Sequence, residues 1–140
     1  MDYTDLSKTL LQTVYDICKV KPKNQLTQAV HGEAFALQFI AQHDDAVIPS
    51  DIETTMSVSS ARIAAILGGL ENKKLITRRI DPLDRRRTIL KLTLEGEELA
   101  AKNMEQLLDI GRETLAYLGE DDARAFIRIM GKIAERFAEK

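Results

Sequence analysis

The sequence predicts a mainly α-helical single domain with one small β-hairpin set into it. Three observations lead there. Apolar residues recur at helical spacing along nearly the whole chain. The period changes to two only around residues 75–93, on either side of a turn reading "DPLDRR" (Asp81 to Arg86). That turn opens a run of three arginines, Arg85, Arg86 and Arg87, in a chain whose formal net charge is −2.

The composition sets the outer bounds. A chain of 140 residues, 44% hydrophobic and 30% charged, suits one folded domain with a real core and not a disordered chain. No apolar run approaches the roughly 18 residues of a membrane span. The start, "MDYTDLSKTL", has no basic segment before an apolar block, so no signal peptide is expected. Cys18 is the one cysteine and cannot form an internal disulfide, which makes a cytoplasmic location the expectation.

The elements follow in order. Tyr3, Leu6, Leu10, Val14 and Ile17 share one face of a first helix, with Leu11, Tyr15 and Cys18 beside them. An arc that wide implies burial in a core or against a second subunit. Pro22 and its polar neighbours break this helix. A second helix is expected over Thr27 to His43, burying Val30, Ala34, Leu37 and Ile40, with Phe35 and Phe39 on its flank. Ser50 with Glu53 reads as a capping box opening a short helix to Met56. Ser57-Val58 makes a tight turn, and Ser59 caps a longer helix reaching about Lys73. That helix buries Ile63, Ile66, Leu67 and Leu70 and leaves Ala61, Arg62, Ala65, Gly68 and Gly69 opposite. The glycine pair either ends the helix, lets another backbone pack close, or keeps the helix slim enough to lie in a groove.

The hairpin comes next. Pro82 fixes φ in its turn, while Asp81 and Asp84 suit local side-chain turns. Two strands alone are marginal in water, so they must pack on the helices. Thr93 caps a helix running to about Leu118, with Glu95, Glu97 and Glu98 in its first turn. After "GEDD" (Gly119 to Asp122), Phe126, Met130, Ile133 and Phe137 form an apolar stripe on the last helix.

Charge is uneven along this order. Between Val58 and Lys91 there are nine basic residues and three acidic ones, or +6, which leaves −8 for the remainder of the chain. A short capped helix, a tight turn, a longer helix and a basic hairpin make a winged helix-turn-helix, a fold that places its second helix in the major groove of DNA. Arginines at the wing tip are suited to the adjacent minor groove. The expected DNA-binding residues are therefore Ser57, Ser59, Ser60, Ala61, Arg62 and Ala65 from the turn and second helix, with Arg85, Arg86 and Arg87 from the wing.

The stretch "LENKKLITRRIDPLDRRRTILKLTLEGEELA" (Leu70 to Ala100) also resembles the signature of the multiple-antibiotic-resistance regulator (MarR) family. Asp84 and Arg86 occupy the Asp-x-Arg positions of its wing, where the resemblance implies a brace. Leu92, Thr93 and Gly96 occupy its strand-to-helix corner. The resemblance implies a homodimer of intertwined terminal helices that reads double-stranded DNA at a near-palindromic operator. Most such proteins repress, and many release DNA when a small phenolic or anionic effector binds between dimer and DNA-binding parts. Here the division would be 27–93 for the winged helix-turn-helix and 1–20 with 94–140 for dimerisation, through Leu6, Leu10, Leu11, Val14, Ile17, Phe126, Met130, Ile133 and Phe137. Two departures stand out. Lys74 replaces the glycine common at the helix end, and Gly68-Gly69 replace polar residues that would contact phosphate.

Other chemistry is weak. His43-Asp44-Asp45 has no matching Cys/His partner and reads as a polar helix end, so no metal is expected. His31 reads as a structural or partly exposed histidine, with the lining of a ligand pocket as the alternative. No nucleophile constellation, paired acid and base or phosphate-cradling glycine motif is present, so neither an enzyme nor a cofactor is expected. Cys18 sits on an apolar arc and reads as packing, although some relatives sense oxidants through a cysteine there. Two alternatives stand beside the ligand-responsive repressor: a winged-helix protein–protein module, and a redox-sensing regulator using Cys18. No residue is assigned to effector binding.

Overall fold

The computed structural model describes residues 2–19, 32–43 and 45–139. Within them six helices and one hairpin follow the expected order: α1 (Thr4–Lys19), α2 (Glu33–Gln42), α3 (Pro49–Met56), α4 (Ser60–Asn72), β1 (Ile76–Ile80), β2 (Thr88–Leu92), α5 (Leu94–Leu118) and α6 (Glu120–Ala138). The strands are antiparallel, with Ile76 opposite Leu92 and Ile80 opposite Thr88.

The core lies among α2, α3, α4, the hairpin and the start of α5. Leu37, Ile52, Ile63, Leu67, Leu70 and Ile76 are its largest fully buried side chains. Each stabilises the fold by roughly 1.5 to 3 kcal/mol relative to leaving it in water. The four apolar positions expected of α4 are all buried there. The hairpin gains a third participant, because Leu90 N–H donates to Val47 O at 2.8 Å. β2 thus runs between β1 and the Val47 bridge. That central place buries Ile89 as well as Leu90, whereas simple alternation would bury only one of them.

Three local expectations are corrected. Gly32, at φ 79°, is the N-cap of α2, so this helix begins at Glu33. Thr27, Val30, His31 and Pro22 lie outside the described residues, as do Asp44 and the side chain of Cys18. Ala34 is only half-buried, and Ala36 takes the core position instead. Ser50 does not cap α3. Proline at the first helical position moves the boundary back to Ile48, whose N–H donates to Asp51 Oδ2 at 2.9 Å.

The corner into α5 is tightly built. Thr93 Oγ1 accepts from Gly96 N–H at 3.1 Å and donates to Lys74 O at 2.7 Å. Thr93 N–H donates to Leu75 O at 3.0 Å. α4 ends in paired reversals, Lys74 N–H to Glu71 O and Leu75 N–H to Leu70 O, with Lys74 at φ 58°. This is a Schellman motif built without its usual glycine. Replacing glycine by lysine therefore leaves the cap geometry intact and adds backbone strain.

The outer helices carry two exposed apolar faces. Leu6, Leu10, Leu11, Val14 and Ile17 on α1 are exposed, as are Phe126, Met130, Ile133 and Phe137 on α6. None of the described helices is long and apolar enough to cross a membrane.

Candidate nucleic-acid interface

The turn between α3 and α4 is set by two serines. Ser57 closes α3 in the left-handed region at φ 53°, which swings the chain sharply. Ser59 then caps α4 by accepting Arg62 N–H at 3.2 Å. Ser60, the first helical residue, donates to Glu53 Oε1 at 2.7 Å and so ties the start of α4 back to α3. Glu53 was expected to close a capping box with Ser50; it serves the following helix instead.

Ser57, Ser59, Ser60, Ala61, Arg62 and Ala65 are all exposed, and Ala64 joins them. Small side chains surround Arg62 on this face. Its guanidinium forms no ion pair among the described residues and is free to meet a partner. Both Gly68 and Gly69 lie inside α4, not at its end. At Gly69 a Cβ would stand 2.2 Å from Glu33 Oε1, so this glycine admits the carboxylate that pairs with Lys73 across α2 and α4. Gly68 has open space around its Cβ position. The pair thus divides: one glycine serves internal packing and the other keeps the surface low.

The wing tip holds itself in shape. Asp81 N–H donates to Arg87 O, and Asp81 Oδ1 accepts Leu83 N–H, both at 2.9 Å. Asp84 Oδ1 accepts Arg86 N–H at 3.0 Å, and Asp84 O accepts Arg87 N–H at 2.9 Å. Both aspartates make the side-chain turns their spacing predicts. The Asp84–Arg86 pair is present, with Nε 3.5 Å from Oδ1, yet the Arg86 side chain is 94% exposed. The more buried brace is Asp81, whose Oδ2 lies 3.8 Å from Arg87 Nη1. Sequence reading placed Asp81 only in the turn; its place in the tertiary packing was not visible from spacing.

The basic residues of this region now sort by partner. Lys73 pairs with Glu33, Arg78 with Glu71 at 2.7 Å, and Arg86 and Arg87 with the wing aspartates. Arg62, Lys74, Arg79, Arg85 and Lys91 are exposed and form no ion pair among the described residues. The unneutralised charge therefore lies at the start of α4, just past its end and along the hairpin. Leu83 stands among it at the tip, 95% exposed.

One open groove of about 700 Å³ lies between the end of α2, the outer face of the hairpin and the start of α5. Ile40, Leu90, Ala100 and Met104 give it an apolar floor, and Arg79, Lys91 and Glu97 charge its rim. The described residues contain no cluster of three or more His, Cys, Asp or Glu placed to hold a metal ion.

Comparison with known proteins follows the same geometry. The MarR family model matches residues 25–87. The chain is 28% identical over 91 residues to the HTH-type transcriptional regulator YdgJ of Bacillus subtilis (strain 168), a match spanning 65% of this chain and 56% of that protein. The chain thus spans little more than half the length of that relative. MepR, a transcription regulator of the Staphylococcus aureus multidrug efflux pump MepA, superposes with a TM-score of 0.65 at 18% identity, covering 98% of this chain and 99% of that one. The transcriptional repressor CouR, solved on a 23-mer DNA duplex, superposes with a TM-score of 0.68 at 22% identity over 96% of this chain and 98% of its own. These likenesses show a winged helix-turn-helix fold, with the MarR family model matched over residues 25–87.

Proposed function

We propose that the protein is a sequence-specific, double-stranded DNA-binding regulator of transcription, acting as a homodimer and repressing until a small molecule releases it. The observation that carries this reading is the concentration of free positive charge on the two elements a winged helix presents to DNA. Among the described residues Arg62, in the first turn of α4, and Arg85, at the wing tip, form no ion pair, and Arg86 pairs only with Asp84 while its side chain stays 94% exposed. α4 enters the major groove and the wing tip reaches the adjacent minor groove. Around these elements the body is acidic, which disfavours other approaches of a polyanion.

The proposed division of labour runs along the chain. Residues 27–93 form the DNA-reading part, and residues 1–20 and 94–140 the dimerisation part. The exposed apolar arcs of α1 and α6 support the dimer, because a monomer would hold Leu10, Leu11, Phe126 and Phe137 in water. Two copies spaced by about 34 Å read successive major grooves of a near-palindromic operator. The 700 Å³ groove beside the wing supports control by a small molecule, since it joins an apolar floor to a few charged rim groups, as ligand sites do.

The test is duplex binding as a function of salt. A dimer neutralising several phosphates loses affinity steeply, with a log–log slope near −0.9 for each phosphate contacted. The upstream intergenic DNA of the protein's own gene is the first probe, and footprinting maps the half-sites. Binding that is flat with salt and indifferent to DNA would instead favour a protein-association role for the wing.

A further inference from the structure

Ser60 and Ser59 are neighbours with opposite hydrogen-bonding polarity. Ser59 Oγ accepts Arg62 N–H, and its own proton has no acceptor among the described residues. Ser60 Oγ stands 2.7 Å from Glu53 Oε1, and a carboxylate has no proton to give, so Ser60 is the donor. A hydroxyl carries one proton. That of Ser60 is therefore engaged inside the protein, and its exposed side offers lone pairs alone.

The consequence appears once α4 lies in a major groove, and it rests on that reading of function. An unconstrained serine can pair with donors or acceptors on base edges. Phosphate oxygens, guanine N7 and O6, and thymine O4 are all acceptors, so they have nothing for Ser60 to receive. Only the exocyclic amino groups, adenine N6 and cytosine N4, donate in that groove. We propose that Glu53 makes Ser60 an acceptor-only reader, selecting adenine or cytosine over thymine or guanine on the strand nearest it in each half-site. Glu53 is then a positioning residue for specificity. Ser59, with its proton free, is suited to a phosphate oxygen.

The experiment is binding-site selection followed by affinity measurement on single-base variants, using the full-length wild type, Ser60→Ala and Glu53→Gln. One position should favour an amino-bearing base by roughly three- to tenfold in the wild type, the worth of one hydrogen bond. Ser60→Ala should abolish that preference while the salt slope stays unchanged. Glu53→Gln, whose amide can donate to Ser60 and release its proton, should reduce the preference and admit thymine or guanine. Thermal unfolding of each variant separates these changes from loss of fold, since a merely structural brace would lower stability without altering base choice. A wild type that fails to bind any duplex overturns the functional reading and this inference together. Normal, Arg62-dependent binding with no position responding to Ser60→Ala, or a Ser60-dependent choice of thymine or guanine, overturns the inference alone. Loss of preference in Ser60→Ala but not in Glu53→Gln removes Glu53 from the mechanism.

Discussion

Gly96 lies so close to Leu75 that a Cβ on the glycine would stand 2.0 Å from the Leu75 carbonyl oxygen. That oxygen also accepts Thr93 N–H, so it cannot turn away without breaking the corner between α4 and α5. Gly96 is the point at which the hairpin is attached to the long helix. Gly96→Ala should lower stability by about 1 to 3 kcal/mol through overpacking. Urea unfolding monitored by circular dichroism checks this, and a midpoint equal to that of the wild type would show that the corner relaxes freely.

Lys74 should respond in the opposite direction. It holds φ 58° at the end of α4, where a Cβ is unfavourable by roughly 1 to 2 kcal/mol. Its side chain forms no ion pair among the described residues that would be lost. Lys74→Gly should therefore raise the denaturant midpoint without changing the slope. A lowered midpoint would mean that glycine's greater unfolded-state entropy outweighs the relief of strain.

The wing separates into exposed and buried charged residues. Arg86 is nearly fully exposed, so Arg86→Ala should weaken binding to all duplexes and reduce the salt slope by about one phosphate, with little effect on melting. Arg85→Ala should do so to a lesser degree. Asp81→Ala should instead destabilise the protein, because it removes the acceptor for Leu83 N–H and the partner of Arg87. Fluorescence anisotropy at several salt concentrations, paired with thermal melts, distinguishes the two classes. Equal losses of stability in Arg86→Ala and Asp81→Ala would remove the distinction.

Arg62 reads differently. Arginine at the start of α4 is suited to the O6/N7 edge of guanine, a contact worth about 1 to 3 kcal/mol of discrimination. Arg62→Ala should relax preference at one position in each half-site while leaving other positions unchanged. Identical selected sequences for variant and wild type would dismiss a base contact.

The proposed dimer is tested on α6. Phe126 is 48% exposed on an apolar stripe with Met130 and Ile133. Phe126→Asp places a charge there and should dissociate the dimer and abolish specific binding together. Analytical ultracentrifugation checks the first and footprinting the second; a stable wild-type monomer at micromolar concentration would falsify the proposed assembly.

The sequence by itself determined the order of the described elements, the buried face of α4, the serine cap of that helix and the side-chain turns of the wing. These depend on local periodicity, capping and turn chemistry, which act within a few residues. Spacing could not show that Glu53 turns forward to Ser60, because Ser50 offered a partner nearer in sequence and Pro49 moved the helix boundary. Nor could it show that Asp81 is the buried brace, that β2 is buried on both faces through Val47, or that Gly69 makes room for Glu33. Each of those brings together groups from different elements, at distances set by how the helices and hairpin pack. Only the tertiary structure decides such contacts, because side chains distant in sequence compete for the same space and the same hydrogen bonds.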